Sequence, residues 1–227
     1  MTNPIPADAG HAVYTPLVLR TLYDPWVLGC SNRWLWRCPT GRLLEFFNRH
    51  VSANHLDVGV GTGYYLDRCR FPSAAPRVAL LDANAECLSH TARRIVRYRP
   101  DVYRADILRP LDSSIPAFEG PAFESVSLFY LLHCLLGTLK SKAVVFDHLR
   151  PWLAPGAKLF GATLVQGSVP RSLLARRLME AYNAKGVFCN RNDTVEDLTE
   201  SLSARFPTSS VTVEGGVAMY VAVANAA

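Results

Sequence analysis

The chain has 227 residues, of which 49% are hydrophobic and 19% charged, and its formal net charge is +5. This composition excludes a disordered chain, and a chain of this length can bury a core without disulfide bonds. No apolar run of about 18 residues occurs, so the sequence predicts no membrane-spanning helix. The N-terminus has no pattern typical of a secretory signal, and we therefore expect a cytoplasmic protein.

The six cysteines form no CxxC pair, and we predict free thiols and no metal site. The basic residues are less evenly placed, because six arginines fall between residues 93 and 109. Such a cluster is compatible with nucleic-acid binding, but no interleaved aromatic pattern accompanies it. The sequence therefore disfavours a nucleic-acid partner. The arginines are Arg93, Arg94, Arg97, Arg99, Arg104 and Arg109.

The first 50 residues are rich in aromatic side chains and precede a regular alternation of strands and helices. We predict that residues 1–50 form a helical cap, with an amphipathic helix at 41–49, and that residues 51–227 form the main domain. Predicted strands lie at 55–60, 77–82, 101–105, 124–132, 157–165, 210–214 and 217–223. Predicted helices lie at 64–69, 84–98, 141–153, 171–185 and 194–206.

Helices between successive strands indicate a parallel sheet that is covered on both faces. The last two predicted strands are instead separated by two glycines, Gly215 and Gly216, which is a hairpin signal. The sequence therefore predicts an α/β fold with a mostly parallel, seven-stranded sheet that ends in an antiparallel hairpin.

The sharpest motif is DVGVGTG at residues 57–63, between a predicted strand and a predicted helix. Glycines allow a tight turn and let a ligand approach the main chain, and a helix N-terminus favours a negative group. A dinucleotide-binding GxGxxG motif would need a glycine at position 64, where Tyr64 stands. The motif therefore argues against a nicotinamide-dependent oxidoreductase.

Two further acids follow predicted strands and should lie at the same edge of the sheet as the glycine loop. Asp82 ends the second strand and suits the two hydroxyls of a ribose, since a carboxylate accepts two hydrogen bonds. Asp106 follows the third strand and can accept a hydrogen bond from an exocyclic amine such as that of adenine.

These motifs together resemble the class I S-adenosylmethionine-dependent methyltransferases, in particular the type 11/12-like small-molecule methyltransferases. The resemblance extends over about residues 50–227 and implies a Rossmann-like sheet. It is carried by HLDVGVGTG at 55–63, LLDA at 80–83, ADI at 105–107, SVSLFYLLH at 125–133 and PWLAPGAKL at 151–159. Ala157 replaces the second glycine of the family's turn before the fifth strand.

The resemblance implies a role for each matching residue and names S-adenosylmethionine as the cofactor. Gly59, Gly61 and Gly63 would hold its methionine part, and Asp57 would fix its amino group. Asp82 with its neighbour Ala83 would bind the ribose, and Asp106 with its neighbour Ile107 would bind the adenine.

The segment 23–37 is weakly similar to the start of ubiquinone/menaquinone-type C-methyltransferases, in which a Tyr-Asp pair leads into a helix. This similarity implies that Tyr14 and Tyr23 could contact the cofactor or the methyl acceptor, and we include Tyr23 among the expected cofactor-binding residues.

His133, at the end of the predicted fourth strand, is our candidate catalytic residue, either as a base or as a group that orients the acceptor. We expect methyl transfer to a small-molecule acceptor such as a secondary metabolite. Two alternatives stay open: a nucleic-acid methyltransferase, and a protein that binds the cofactor without transferring methyl, such as a pericyclase or a regulatory partner. The sequence leaves open which acceptor is used, whether O, N or C is methylated, and the oligomeric state.

Overall fold

The structure, a computed structural model, describes residues 24–111, 121–167 and 169–225. Its centre is a seven-stranded sheet in the order β3-β2-β1-β4-β5-β7-β6. The first five strands are parallel, and β7 runs antiparallel to both β5 and β6. The strands are β1 Asn54–Val58, β2 Arg77–Asp82, β3 Asp101–Arg104, β4 Phe123–Phe129, β5 Leu153–Leu164, β6 Thr208–Glu214 and β7 Val217–Val223.

Helices cover both faces of this sheet. The helices are α1 Thr40–His50, α2 Tyr64–Arg68, α3 Ala85–Arg94, α4 Leu139–Lys142, α5 Val144–Leu149, α6 Leu173–Ala184 and α7 Val195–Ser203. A further helical segment, Asp24–Leu35, precedes α1. Helices α1, α2, α3 and α6 contribute to one apolar core, and α4, α5 and α7 to a second core on the opposite face.

Alternation along the strands explains the two cores, because successive side chains of a strand point to opposite faces. In β1, Leu56 and Val58 join the α4–α5–α7 core, whereas His55 lies against Phe47 of α1 on the other face. Phe47 also contacts Phe160 of β5, with ring centroids 5.3 Å apart. Helix α1 is therefore fixed to the sheet by aromatic contacts, each worth about 0.5–1.5 kcal/mol beyond area burial.

The predicted architecture is confirmed, including the terminal hairpin, where Gly215 has a left-handed φ of 57°. Two predicted helix starts are confirmed as well. The side chain of Asn84 accepts a hydrogen bond from the amide of Glu86, and that of Thr194 accepts one from the amide of Asp197. Each satisfies a backbone donor that a helix start otherwise leaves free.

Several predicted boundaries are wrong, and four of the errors have a visible structural reason. Helix α3 ends at Arg94 and is followed by the separate 3-10 turn Val96–Tyr98, rather than continuing to residue 98. Strand β4 ends at Phe129, because Tyr130 takes a left-handed φ of 57° that extended strands do not tolerate. His133 therefore lies in the 3-10 turn Leu132–Cys134, beyond the strand end.

The other two errors concern residues 139–165. The predicted helix 141–153 is broken into α4, α5 and the 3-10 turn Arg150–Trp152. Strand β5 begins at Leu153 rather than Ala157, and the pairing register with β4 shifts between Phe123 and Ser125. The Pro155-Gly156 pair, predicted as the turn that ends a helix, lies inside this irregular strand start, where bulges accommodate proline and left-handed glycine.

Candidate functional site

The carboxyl ends of β1, β2 and β3 surround a crevice beside the switch point of the sheet, where β1 lies between β2 and β4. Open α/β sheets bind ligands at such a point. Five residues predicted to bind the cofactor line this crevice together. They are Gly59, Asp82, Ala83, Asp106 and Ile107, and the remaining lining residues are Val58, Leu81, Ala105, Leu131 and Leu135.

The glycine loop between β1 and α2 has three left-handed residues: φ is 74° at Gly59, 51° at Gly61 and 70° at Gly63. A Cβ at Gly59 would come within 2.7 Å of a Leu131 methyl, and one at Gly63 within 2.7 Å of a Thr91 methyl. A Cβ at Gly61 would meet nothing within 4 Å. Gly59 and Gly63 are therefore needed for packing, while Gly61 leaves open space over the main chain.

Asp82 and Asp106 are held in place by backbone amides. One oxygen of Asp82 accepts a hydrogen bond from the Asn84 amide at 2.8 Å. In the same way, Asp106 accepts one from the Leu108 amide at 3.0 Å, and Arg109 lies 3.8 Å from its other oxygen. The two carboxylates are thus oriented before any ligand arrives, which lowers the entropic cost of binding.

Asp57 lies deeper than the other two acids, with 7% of its surface exposed. Burial raises the pKa of its carboxyl to about 7, against the opposing effect of a hydrogen bond from the Ser127 hydroxyl. A carboxyl group with this pKa changes charge near neutral pH, which is unusual for an aspartate and is typical of functional sites.

His133 lies at the other end of this edge, on the side of β4 and β5, and does not line the crevice. It is 3% exposed, and burial, together with the charge of Lys142, lowers the pKa of its ring to about 3. The amide of Leu164 donates a hydrogen bond to its Nδ1 at 3.4 Å. The neutral ring therefore carries its proton on Nε2, which is a donor in that tautomer.

Three aromatic rings accompany His133, and sequence reasoning missed their assembly. Phe188 stands edge-on to His133 with centroids 4.6 Å apart, Tyr182 stands 4.8 Å from Phe188, and Tyr130 stands 5.6 Å from His133. Tyr130 also donates a hydrogen bond from its hydroxyl to Asn32. We call these four rings the aromatic cluster.

The loop that carries Phe188 is anchored by a buried ion pair that the sequence did not reveal. Lys142 is fully buried and contacts both the Asp193 carboxylate and the Cys189 carbonyl at 2.5 Å. The Cys189 amide in turn donates to the backbone carbonyl of His133. Lys142 therefore fixes the loop 186–193 against the His133 turn.

The remaining sequence predictions concern the arginine cluster, two tyrosines, membrane-spanning helices and metal sites. Arg94 and Arg97 both pair with Asp67 of α2, so two of the positive charges of the arginine cluster are partly neutralised. Tyr14 and Tyr23 lie outside the described residues. Within residues 24–111, 121–167 and 169–225, no helix is long and apolar enough to cross a membrane. The same ranges contain no group of three His, Cys, Asp or Glu residues that could hold a metal ion.

Sequence comparison finds a methyltransferase family profile and relatives named as methyltransferases. A family profile described as a methyltransferase domain matches residues 56–159. Demethylluteothin O-methyltransferase of Streptomyces thioluteus is 37% identical over 93% of this chain and 89% of that protein. The physcion biosynthesis cluster O-methyltransferase of Aspergillus chevalieri is 36% identical over 98% of both chains.

Structure comparison supports the fold. The N-methyltransferase NodS from Bradyrhizobium japonicum WM9, solved in complex with S-adenosyl-L-homocysteine, superposes with a TM-score of 0.60. The superposed region covers 96% of this chain and 99% of the NodS chain, and the two sequences are 15% identical. The sheet order and the crevice at its switch point define a Rossmann-like fold. With its relatives at more than a third identity, this chain belongs to the class I S-adenosylmethionine-dependent methyltransferase family.

Proposed function

We propose that this protein binds S-adenosylmethionine in the crevice and transfers its methyl group to a hydroxyl of a small aromatic acceptor, as an enzyme of secondary metabolism. The observation that carries the proposal is the crevice itself, which brings Gly59, Asp82 and Asp106 together with apolar residues that suit an adenine ring. The names of the two relatives, both O-methyltransferases, support a hydroxyl as the acceptor.

The residues present fit the proposed cofactor. The open space above Gly61 is where a Cβ would stand in any other residue, so the main chain there can be approached closely. Asp82 would hold the ribose hydroxyls, Asp106 the adenine amine and Asp57 the amino group of the methionine part. When bound, the cofactor supplies an electrophilic methyl group on a positively charged sulfur.

His133 and the aromatic cluster would position the acceptor. Since the buried ring of His133 has a pKa of about 3, it is a weak base at neutral pH. Its Nε2 proton suits it better to donate a hydrogen bond to the acceptor oxygen, and so to hold that oxygen at attack distance. Of the two roles predicted for His133, this geometry favours orientation.

The alternatives receive less support. The pairing of Arg94 and Arg97 with Asp67 leaves fewer free charges for a nucleic-acid backbone. The other alternative, a protein of this fold that binds the cofactor without transferring methyl, is distinguished from the proposed enzyme by the experiment described next. The cytoplasmic location stays a prediction of the sequence.

The first test is calorimetric titration with S-adenosylmethionine and S-adenosylhomocysteine, with NADH as the control ligand. We expect binding of the first two and none of NADH. Binding must then be followed by methyl transfer from labelled S-adenosylmethionine to a panel of phenols, with anilines and thiols of the same ring systems as matched acceptors. Binding without transfer to any acceptor would favour the non-transferring alternative, and absence of binding would overturn the proposal.

A further inference from the structure

A chain of buried polar side chains extends from Asp57 beneath the glycine loop toward the opposite edge of the sheet. The Ser127 hydroxyl donates to the Asp57 carboxylate. His55 lies between two serines, with Nε2 3.0 Å from the Ser127 hydroxyl and Nδ1 2.8 Å from the Ser125 hydroxyl. The Ser125 oxygen also accepts a hydrogen bond from the Ser52 amide at 2.9 Å.

The sequence predicted no role for His55, Ser125 or Ser127, yet all three are fully buried. They occupy alternate positions of β1 and β4, which pair in register as His55 with Ser125 and Asp57 with Ser127. Burying such groups costs free energy unless their hydrogen bonds are satisfied. Here the buried groups satisfy one another's hydrogen bonds, so the orientation of each is tied to that of Asp57.

The directions of the hydrogen bonds follow from the charge of Asp57. An ionised carboxylate can only accept, so the single proton of the Ser127 hydroxyl must point to Asp57. Ser127 can then only accept from His55, which places the ring proton on Nε2. Because burial keeps the ring neutral, with a pKa of about 3, its Nδ1 is bare and accepts from Ser125. The Ser52 hydroxyl, 2.8 Å from that of Ser125, is then the donor in their contact. All of these donors point toward Asp57.

Protonation of Asp57 permits the opposite arrangement. A neutral carboxyl group can donate to Ser127, which then donates to Nε2 of His55, and the ring proton moves to Nδ1. The tautomer of His55 is thereby coupled to the charge of a carboxyl group two hydrogen bonds away. Chains of this kind also strengthen each bond within them when all donors point the same way.

Few other titratable groups face this chain. Cys69, at the end of α2, is close enough for the Asp57 charge to contribute to raising its thiol pKa to about 12, so it stays neutral. His50 of α1 lies on the far side of Phe160, with ring centroids 5.6 Å apart, and burial lowers its pKa to about 4. Neither group is charged near neutral pH.

We propose that Ser127 and His55 are positioning residues that hold the Asp57 carboxylate as an oriented anion for the amino group of the cofactor, with His55 fixed as its Nε2–H tautomer. This inference deepens the proposed function and rests on it for the identity of the ligand. The hydrogen-bond chain itself can be tested in the ligand-free protein.

The first experiment observes the imidazole nitrogens of His55 by NMR in ¹⁵N-histidine-labelled protein, with His55→Gln to assign the signals. At about pH 8, where Asp57 is ionised, we expect a protonated Nε2 and a bare Nδ1, and bound S-adenosylhomocysteine should keep this tautomer down to about pH 6. A protonated Nδ1 at pH 8 would overturn the proposal.

The second experiment removes the donor to Asp57. In Ser127→Ala, the titration midpoint of the Asp57 carboxyl carbon, assigned with Asp57→Asn, should rise by about one pH unit or more. Ser127→Thr keeps a hydroxyl and should restore the midpoint. Ser125→Ala, one link further away, should shift it less and provides a second variant if Ser127→Ala does not fold. An unchanged midpoint in Ser127→Ala would overturn the proposal.

The third experiment measures affinity for S-adenosylhomocysteine by calorimetry between about pH 6 and pH 9, where both forms of Asp57 are sampled. Ser127→Ala should bind about tenfold more weakly than wild type at the acidic end and recover at the alkaline end. An equal loss at every pH would assign Ser127 a packing role and reject the proposal. If wild type binds no S-adenosylhomocysteine, the proposed function fails. The two NMR experiments then still test whether the hydrogen-bond chain from His55 to Asp57 exists.

Discussion

The two halves of the edge formed by the carboxyl ends of the parallel strands are held in place by different kinds of interaction. The half at the ends of β1, β2 and β3 is shaped by backbone turns, with three left-handed glycines and two acids held by amides within two residues of themselves. The half at the ends of β4 and β5 is held by contacts between distant parts of the chain, such as Lys142 with Asp193. We call them the cofactor half and the acceptor half after their proposed roles. The first is locally encoded, whereas the second depends on the finished fold.

The largest expected effect lies in the acceptor half. Lys142→Ala would leave the Asp193 carboxylate buried without its partner, and should cost about 3–5 kcal/mol of unfolding free energy in a chemical denaturation experiment. Lys140→Ala is the matched control, because this exposed lysine pairs with Asp197 and Glu200 at the surface and should cost about 0–1 kcal/mol.

The same variant tests how separate the two halves are. Where Lys142→Ala remains folded, its affinity for S-adenosylhomocysteine should match that of wild type, because the crevice lies at the other strands. A parallel loss of cofactor affinity would show that the two halves are one cooperative unit.

In the cofactor half, Asp82→Ala should weaken binding of S-adenosylmethionine by about 1.5–3 kcal/mol, the range for lost hydrogen bonds to a charged group. Calorimetry measures this directly. Asp101→Ala is the control, since Asp101 begins β3 at the opposite edge of the sheet and contacts Arg77. Unchanged affinity in Asp82→Ala would contradict the proposed position of the ribose.

His133→Ala should lower turnover by about 10–100-fold and leave cofactor affinity nearly unchanged, because the residue lies outside the crevice. Single-turnover kinetics with a phenol acceptor, beside calorimetry, separates the two quantities. His133→Gln retains a side-chain donor and should recover part of the rate. Equal losses of rate and cofactor affinity would make His133 a structural residue.

The smallest expected effect is on stability against pH. The pKa values are about 4 for His50 and about 3 for His55 and His133 in the folded protein, below the ordinary value of 6.5, so the unfolded chain binds more protons below about pH 6.5. Their stabilising contribution is lost as the pH falls through that range. The raised pKa of Asp57 acts in the opposite sense between about pH 4 and pH 7.

The net fall between about pH 7.5 and pH 5.5 should be about 1–2 kcal/mol, since three histidines outweigh one aspartate and the partly exposed His50 contributes less than the two buried rings. Denaturation curves at the two pH values measure it. Asp57→Asn removes the opposing group and should make the fall steeper, and a variant with the same or a shallower slope would show that the fold does not raise the pKa of Asp57.

The sequence predicted the sheet well, and it predicted that the strand-end acids and the glycine loop lie at one edge, because both depend on patterns over a few residues. That these residues bind the cofactor stays a prediction. The positions of Gly59, Asp82 and Asp106 could be predicted because strand ends and glycine turns depend on short stretches of sequence. The boundary at Tyr130 could not be predicted, since a left-handed tyrosine is stabilised by its surroundings rather than by its own preference. The buried Lys142 could not be predicted either, because its partner lies 51 residues away and a lone lysine in a sequence indicates a surface position.

The position of β7 in the sheet has a consequence for synthesis on the ribosome. This strand, residues 217–223, is the last strand that the structure describes, yet it lies between β5 and β6 and contributes buried residues such as Met219 and Tyr220. Until it leaves the exit tunnel, β5 presents an unpaired edge with an apolar run, which is a site for unwanted strand pairing. Between the synthesis of β5 and the emergence of β7, the nascent chain would therefore be prone to aggregation, and it would be a natural client for chaperones that protect open sheet edges.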